Sequence, residues 1–162
     1  MTKIIKMETT LNKHSKGWMS DKTRRVVVDV ICYLFVLLFL YAATSKLLEY
    51  DKFQLQISKS PIITDFASVL VWLVPGLEIV ISIMLLIKKT ITAGLYAAFM
   101  LMSLFTFYIY AILNFSDFIP CSCGGVLENM KWSEHFIFNI VFIILAILGI
   151  LLQTKIKPKT LG

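Results

Sequence analysis

The chain has 162 residues and is 58% hydrophobic, against roughly 45–50% in soluble domains, which excludes an ordinary water-soluble fold. Twelve of its 16 Lys and Arg lie before residue 26, at Lys88-Lys89 or after Leu152, a placement that orients a multi-span protein in a bilayer. The net charge of +6 therefore needs no nucleic acid to explain it, and no basic motif with interleaved aromatics appears.

Residues 1–25 read as a polar cytoplasmic tail in which His14 has no neighbouring ligand residue. The first span is expected over residues 26–45, about the length needed to cross the hydrocarbon core. It is longer than the ~7–15 residues of a signal-peptide core, so it reads as an anchor. Asp29 near its start reaches water or Arg25, and Cys32 reads as a small packed apolar residue. From Lys46 to Thr64, Leu47, Leu48, Phe53, Leu55 and Ile57 interleave with polar residues. That first outer connection is either a short amphipathic helix in the headgroup plane or a loop over the mouth of the bundle, and Pro61 ends it.

The second span, residues 66–87, contains Glu78, the only carboxylate deep in an apolar run. A charge at that depth costs at least a few kcal/mol, so Glu78 is expected to face inward. Two roles stay open for it. It is a proton relay or quinone-site acid, or it is a polar staple to Ser103, Thr106 or Tyr108 of the next helix. Pro75, three residues earlier, removes a backbone donor and favours a bend. Lys88-Lys89-Thr90 makes an inner turn. The third span, residues 91–114, is rich in Tyr, Phe and Met; these suit a flat ring such as a quinone, and a packed core with an interfacial belt explains them without one.

Three spans from a cytoplasmic amino terminus put Pro120-Cys121-Ser122-Cys123-Gly124-Gly125 on the outer face, in the periplasm if the cell has two membranes, where thiols can be held oxidised. Cys121 and Cys123 can bridge only through a small, strained ring, and strained exposed disulfides tend to be catalytic or labile. Gly124 and Gly125 supply the backbone freedom of such a turn. Ser133 is placed to cap the last helix, whose amino end favours a thiolate. His135 follows two residues later, able to shuttle a proton, and Asn139 is one turn further on the same face. Trp132 fits the interface belt. Three uses of the cysteines stay open: a redox dithiol, a copper or zinc site, or a structural clip. With His135 they fall short of the four donors of a closed zinc site, although Met130 suits cuprous copper. A clip across so short a loop contributes little. The fourth span, residues 135–152, has Gly149 for close helix approach and leads to a basic tail at 154–162.

Pro120-Cys-Ser-Cys-Gly-Gly-Val-Leu-Glu followed by Trp132-Ser-Glu-His-Phe-Ile-Phe-Asn139, with Ala43-Thr-Ser-Lys-Leu47, Phe53 and Pro75-Gly-Leu-Glu78, resembles the MauE-type proteins of the wider DoxX-like group, over residues 26–152. The resemblance implies an all-α integral membrane four-helix bundle with both termini cytoplasmic, in a bacterial inner membrane. It implies a thiol-disulfide redox or maturation factor acting on an exported partner, as in maturation of the methylamine dehydrogenase small subunit, with a periplasmic thioredoxin-like protein. Under it Cys121 and Cys123 are the redox pair with His135 beside them, while Glu78, Trp132 and Asn139 bind a membrane quinone or relay protons. Whether such a protein is itself an enzyme stays open, and a non-enzymatic scaffold or a copper- or zinc-handling subunit using the same cysteines is the alternative. Quinone-linked disulfide generators have a similar architecture but two cysteine pairs. Here one pair must meet both quinone and partner, or another protein supplies the second.

Overall fold

The computed structural model of the chain describes residues 20–58, 67–115 and 132–156, and every element among them is helical. They are α1 (Asp21–Leu48), α2 (Tyr50–Ser58), α3 (Ala67–Leu86), α4 (Ile91–Phe115) and α5 (Trp132–Thr154). All but α2 are long and apolar enough to cross a membrane. At 28 residues, α1 extends to about 42 Å at 1.5 Å per residue, more than the ~30 Å hydrocarbon core needs. It begins five residues before the expected span and ends three after it. At its start Ser20 is extended and Arg24 reaches back to Asp21 at 3.1 Å.

Around the bundle the order is α1, α3, α4, α5, with α5 closing back onto α1. Consecutive spans are therefore neighbours, as short connections favour. The turn between α3 and α4 is tied by Thr90, whose hydroxyl donates to the carbonyls of Met84 at 2.8 Å and Ile87 at 3.1 Å. Phe35, Phe39, Leu95, Ala98, Met102 and Ala146 fill the interior, and Cys32 packs among them as a free thiol. Leu37, Trp72, Leu104, Phe107 and Ile137 point outward and are exposed, which in water would be a liability and in lipid is the preferred face.

The register of the bundle follows from Gly149. A methyl group there would lie 3.1 Å from Leu95 Cδ2 and 3.4 Å from Ile31 Cγ2, so Gly149 faces α4 and α1 at the level of Leu95 and Ile31 in a close approach that small residues allow. Arg24 donates to the Lys155 carbonyl at 3.5 Å, which fixes α1 and α5 as antiparallel.

Glu49 interrupts the chain for a single residue before α2 starts. The connection after α1 thus contains a short helix, the first of the two alternatives open for it. Phe53 and Ile57 are buried against Val71 of α3, and the Tyr50 and Trp72 rings meet at 5.3 Å. Pro75 is buried within a continuous α3.

Candidate functional site

On α1 the buried positions are Val28, Ile31, Cys32, Phe35, Val36, Phe39, Ala43 and Lys46. That spacing of three or four is the inward stripe of a helix, and its last member is a lysine. Because α1 continues to Leu48, Lys46 belongs to the bundle interior and not to the connection where its charge suggested placing it. Side chains on a helix lean toward its amino end, so the ammonium reaches back into the bundle. Its Nζ donates to Glu78 Oε1 at 2.6 Å, a short charge-assisted hydrogen bond.

The carboxylate of Glu78 is 0% exposed and Lys46 only 8%. The inward orientation expected of Glu78 is what the structure has, and its carboxylate is held by Lys46, which was not among the partners considered. Ser103 and Thr106 donate to the carbonyls of Phe99 and Met102, on their own helix. A hydroxyl has a local acceptor one turn back, whereas a buried carboxylate needs a donor of opposite charge.

Phe53 of α2 and Phe105 of α4 flank the ammonium, with ring centroids 5.9 and 5.7 Å from Nζ, within range of cation–π attraction. The lysine is thus held by one carboxylate and two aromatic faces drawn from three different helices.

Asn139 belongs to the same layer. Ten residues from Gly149 along α5 lies Asn139, and ten residues from Leu95 and Ile31 in the matching direction lie Phe105 and Tyr41. Since Phe105 touches the Lys46 ammonium, Asn139 stands at the depth of the ion pair, and it is only 3% exposed. One turn earlier, His135 is half-buried and within electrostatic reach of Lys46. The expectation that His135 and Asn139 share a face of the last helix agrees with both being turned toward the bundle.

Two atoms of this cluster are unmatched. Glu78 Oε2 and Asn139 Nδ2 are buried and have no hydrogen-bond partner among the described residues. Leaving such groups unpaired in a dry interior costs about 1–3 kcal/mol each, so they are the two hydrogen-bonding positions of the cluster that the described residues do not satisfy.

Cys121 and Cys123 lie outside the described residues, as does the side chain of Trp132, whose backbone opens α5. Because α5 starts there, Ser133 falls inside the first turn instead of before it. Among the described residues no group of three His, Cys, Asp or Glu could hold a metal ion. Lys46 was the member of the cluster that sequence reasoning missed, although the stripe through Phe39 and Ala43 leads to it.

The family described as methylamine utilisation protein MauE matches residues 24–152. No curated protein and no solved structure matches the chain.

Proposed function

The chain belongs to the methylamine utilisation protein MauE family, and from that premise we propose a multi-pass maturation factor of a bacterial inner membrane. In this reading Cys121 and Cys123 face the periplasm and exchange disulfides with an exported protein or with a thioredoxin-like partner that serves it. The observation that carries it is where the sulfur atoms stand in the chain. Of three cysteines, Cys32 is buried in the core, which leaves Cys121 and Cys123 as the candidate pair, and α5 begins nine residues after Cys123 with His135 in its first turns.

The chemistry is a dithiol exchange. A thiolate of the partner attacks the Cys121–Cys123 bridge and forms a mixed disulfide. Its second thiolate then releases the mixed bond, leaving the partner oxidised and Cys121 and Cys123 as two thiols. His135 takes up a proton in one step and returns it in another, the ordinary work of an imidazole near neutral pH.

Cys121→Ser and Cys123→Ser, each expressed with the client, test this. One of them is expected to hold a covalent partner that a reducing agent releases. If neither traps a protein, and the double serine variant leaves exported clients fully oxidised, the exchange reading is wrong. Copper or zinc that co-purifies with the native chain and is lost in both variants would assign the same sulfurs to metal handling.

A further inference from the structure

The contacts around Gly149 also set the level of the charges at the end of the bundle away from the Lys46–Glu78 pair. Five residues from Gly149, Leu95 and Ile31 toward that end lie Thr154, Thr90 and Val26. Lys155, Lys89 and Arg25 adjoin those three positions, and Lys88 and Lys22 are within about a turn of them. The bond from Arg24 to the Lys155 carbonyl at 3.5 Å marks the same level independently. Three stretches distant in sequence thus bring Lys22, Arg24, Arg25, Lys88, Lys89 and Lys155 to one rim, where Asp21 and Asp29 are the carboxylates among the described residues. All but Arg24 of these cations are exposed, and Arg24 engages Asp21 at 3.1 Å. At the other end the balance reverses: apart from the buried pair, Glu49, Asp51 and Glu134 outnumber Lys52 among the described residues.

Orientation in a bilayer asks only that basic residues collect on one side. It does not ask that they meet at one level around the helices, next to apolar surface. Here Val26, Val30, Ile83, Leu86 and Leu151 are exposed just inside the rim, so hydrocarbon-facing helix begins within a turn or two of the charges. A molecule with a negative head and hydrocarbon tails matches both parts of that surface, whereas a soluble anion uses only the first. We propose that the rim holds a shell of anionic phospholipid, with phosphate headgroups against its ammonium and guanidinium groups and acyl chains along the exposed faces of α1, α3 and α5. Lys88 and Lys89 are the best fixed of these groups. The Thr90 hydroxyl ties their turn to the carbonyls of Met84 and Ile87, and Gly94 lets Leu85 approach α4 so closely that a methyl group there would meet Leu85 Cδ2 at 3.0 Å. The attraction is electrostatic and falls off within a Debye length. None of it depends on Cys121 or Cys123.

A detergent micelle has no leaflets, so lipid retention there is separate from orientation. The full chain is purified in a neutral detergent and offered equal amounts of dioleoylphosphatidylglycerol and dioleoylphosphatidylcholine, and the lipid retained after gel filtration is quantified by mass spectrometry. A preference for phosphatidylglycerol of about tenfold is expected at about 0.1 M sodium chloride, falling at about 1 M, where the Debye length shrinks from about 10 to about 3 Å. One basic side chain beside an anionic headgroup counts for roughly fivefold, so Lys88→Gln with Lys89→Gln should lower the preference at least fivefold. Lys155→Gln, on a separate helix, should lower it as well. Lys52→Glu changes net charge as much as the double variant but at the other end, and should leave the preference unchanged. Equal retention of the two lipids, no loss in either rim variant, or the same loss in Lys52→Glu overturns the site. Displacement of the lipid by inorganic phosphate beyond that by sodium chloride at equal ionic strength would assign the rim to a free anion and overturn it too.

Discussion

Replacing Lys46 by methionine would keep most of the stem that packs between Phe53 and Phe105 but delete the charge 2.6 Å from Glu78 Oε1. The carboxylate is fully buried, with its second oxygen already unmatched among the described residues. Removing one member of a buried ion pair costs about 3–5 kcal/mol, because the remaining charge is stranded. For a chain of this size 1 kcal/mol moves melting by roughly 2–4 °C, so Lys46→Met should melt about 6–20 °C below the native protein. Protonation of Glu78 relieves part of the cost and sets the lower end. Lys46→Met combined with Glu78→Leu removes both charges and should recover most of the loss, since an apolar replacement of a buried pair is often neutral or stabilising. Apparent melting is followed in one detergent by fluorescence-detected size exclusion for the native chain, both single variants and the double variant. The reasoning fails if Lys46→Met melts within about 2 °C of native, or if the double variant is no more stable than Lys46→Met.

Gly149→Val should destabilise by about 1–3 kcal/mol, as overpacking does, because even a methyl group there meets Leu95 Cδ2 at 3.1 Å; pairing it with Leu95→Ala should return part of the loss in the same melting assay. Phe53→Ala opens the face of Lys46 that α2 covers, and mass spectrometry after brief treatment with a membrane-impermeant acylating reagent should find Lys46 modified several-fold faster than in the native chain. Equal rates would mean that α2 does not shield the ion pair. Cys32 packs among core residues, so a chain with Cys121→Ser and Cys123→Ser should resist maleimide in the folded state and label fully after denaturation. Rapid labelling of the folded protein would contradict that packing.

The four apolar runs made the all-helical, membrane-spanning class legible, because lipid demands that each crossing satisfy its own backbone. Their ends were less so. Hydropathy falls at Lys46, and the expected span stopped at residue 45, yet α1 continues to Leu48 because a lysine on the inward stripe can be buried when a carboxylate awaits it. For Glu78 the sequence carried depth and orientation but not the partner, since a contact across 32 residues leaves no local signature while the hydroxyls of Ser103 and Thr106 stood nearby in composition. The facing of His135 and Asn139 was legible from their spacing of four. That Asn139 shares a layer with the ion pair depends on the helix register set at Gly149, which only three dimensions supply. The cysteine turn stays a matter of sequence, because residues 116–131 lie outside the described set.

The bridge from α1 to α3 also bears on how the polypeptide enters the bilayer during synthesis. A segment with an ionised group near its middle partitions poorly on its own, by roughly 2.5–3.5 kcal/mol on translocon scales. Glu78 burdens the second segment in this way, and its counter-charge is already present on the first, 32 residues upstream. The two should therefore leave the insertion machinery as one hairpin, with α2 as its bend. In a glycosylation-tagged translation assay the second segment should integrate efficiently behind the native first segment and poorly behind one carrying Lys46→Leu. Equal integration in both cases would show that the two segments enter the membrane independently.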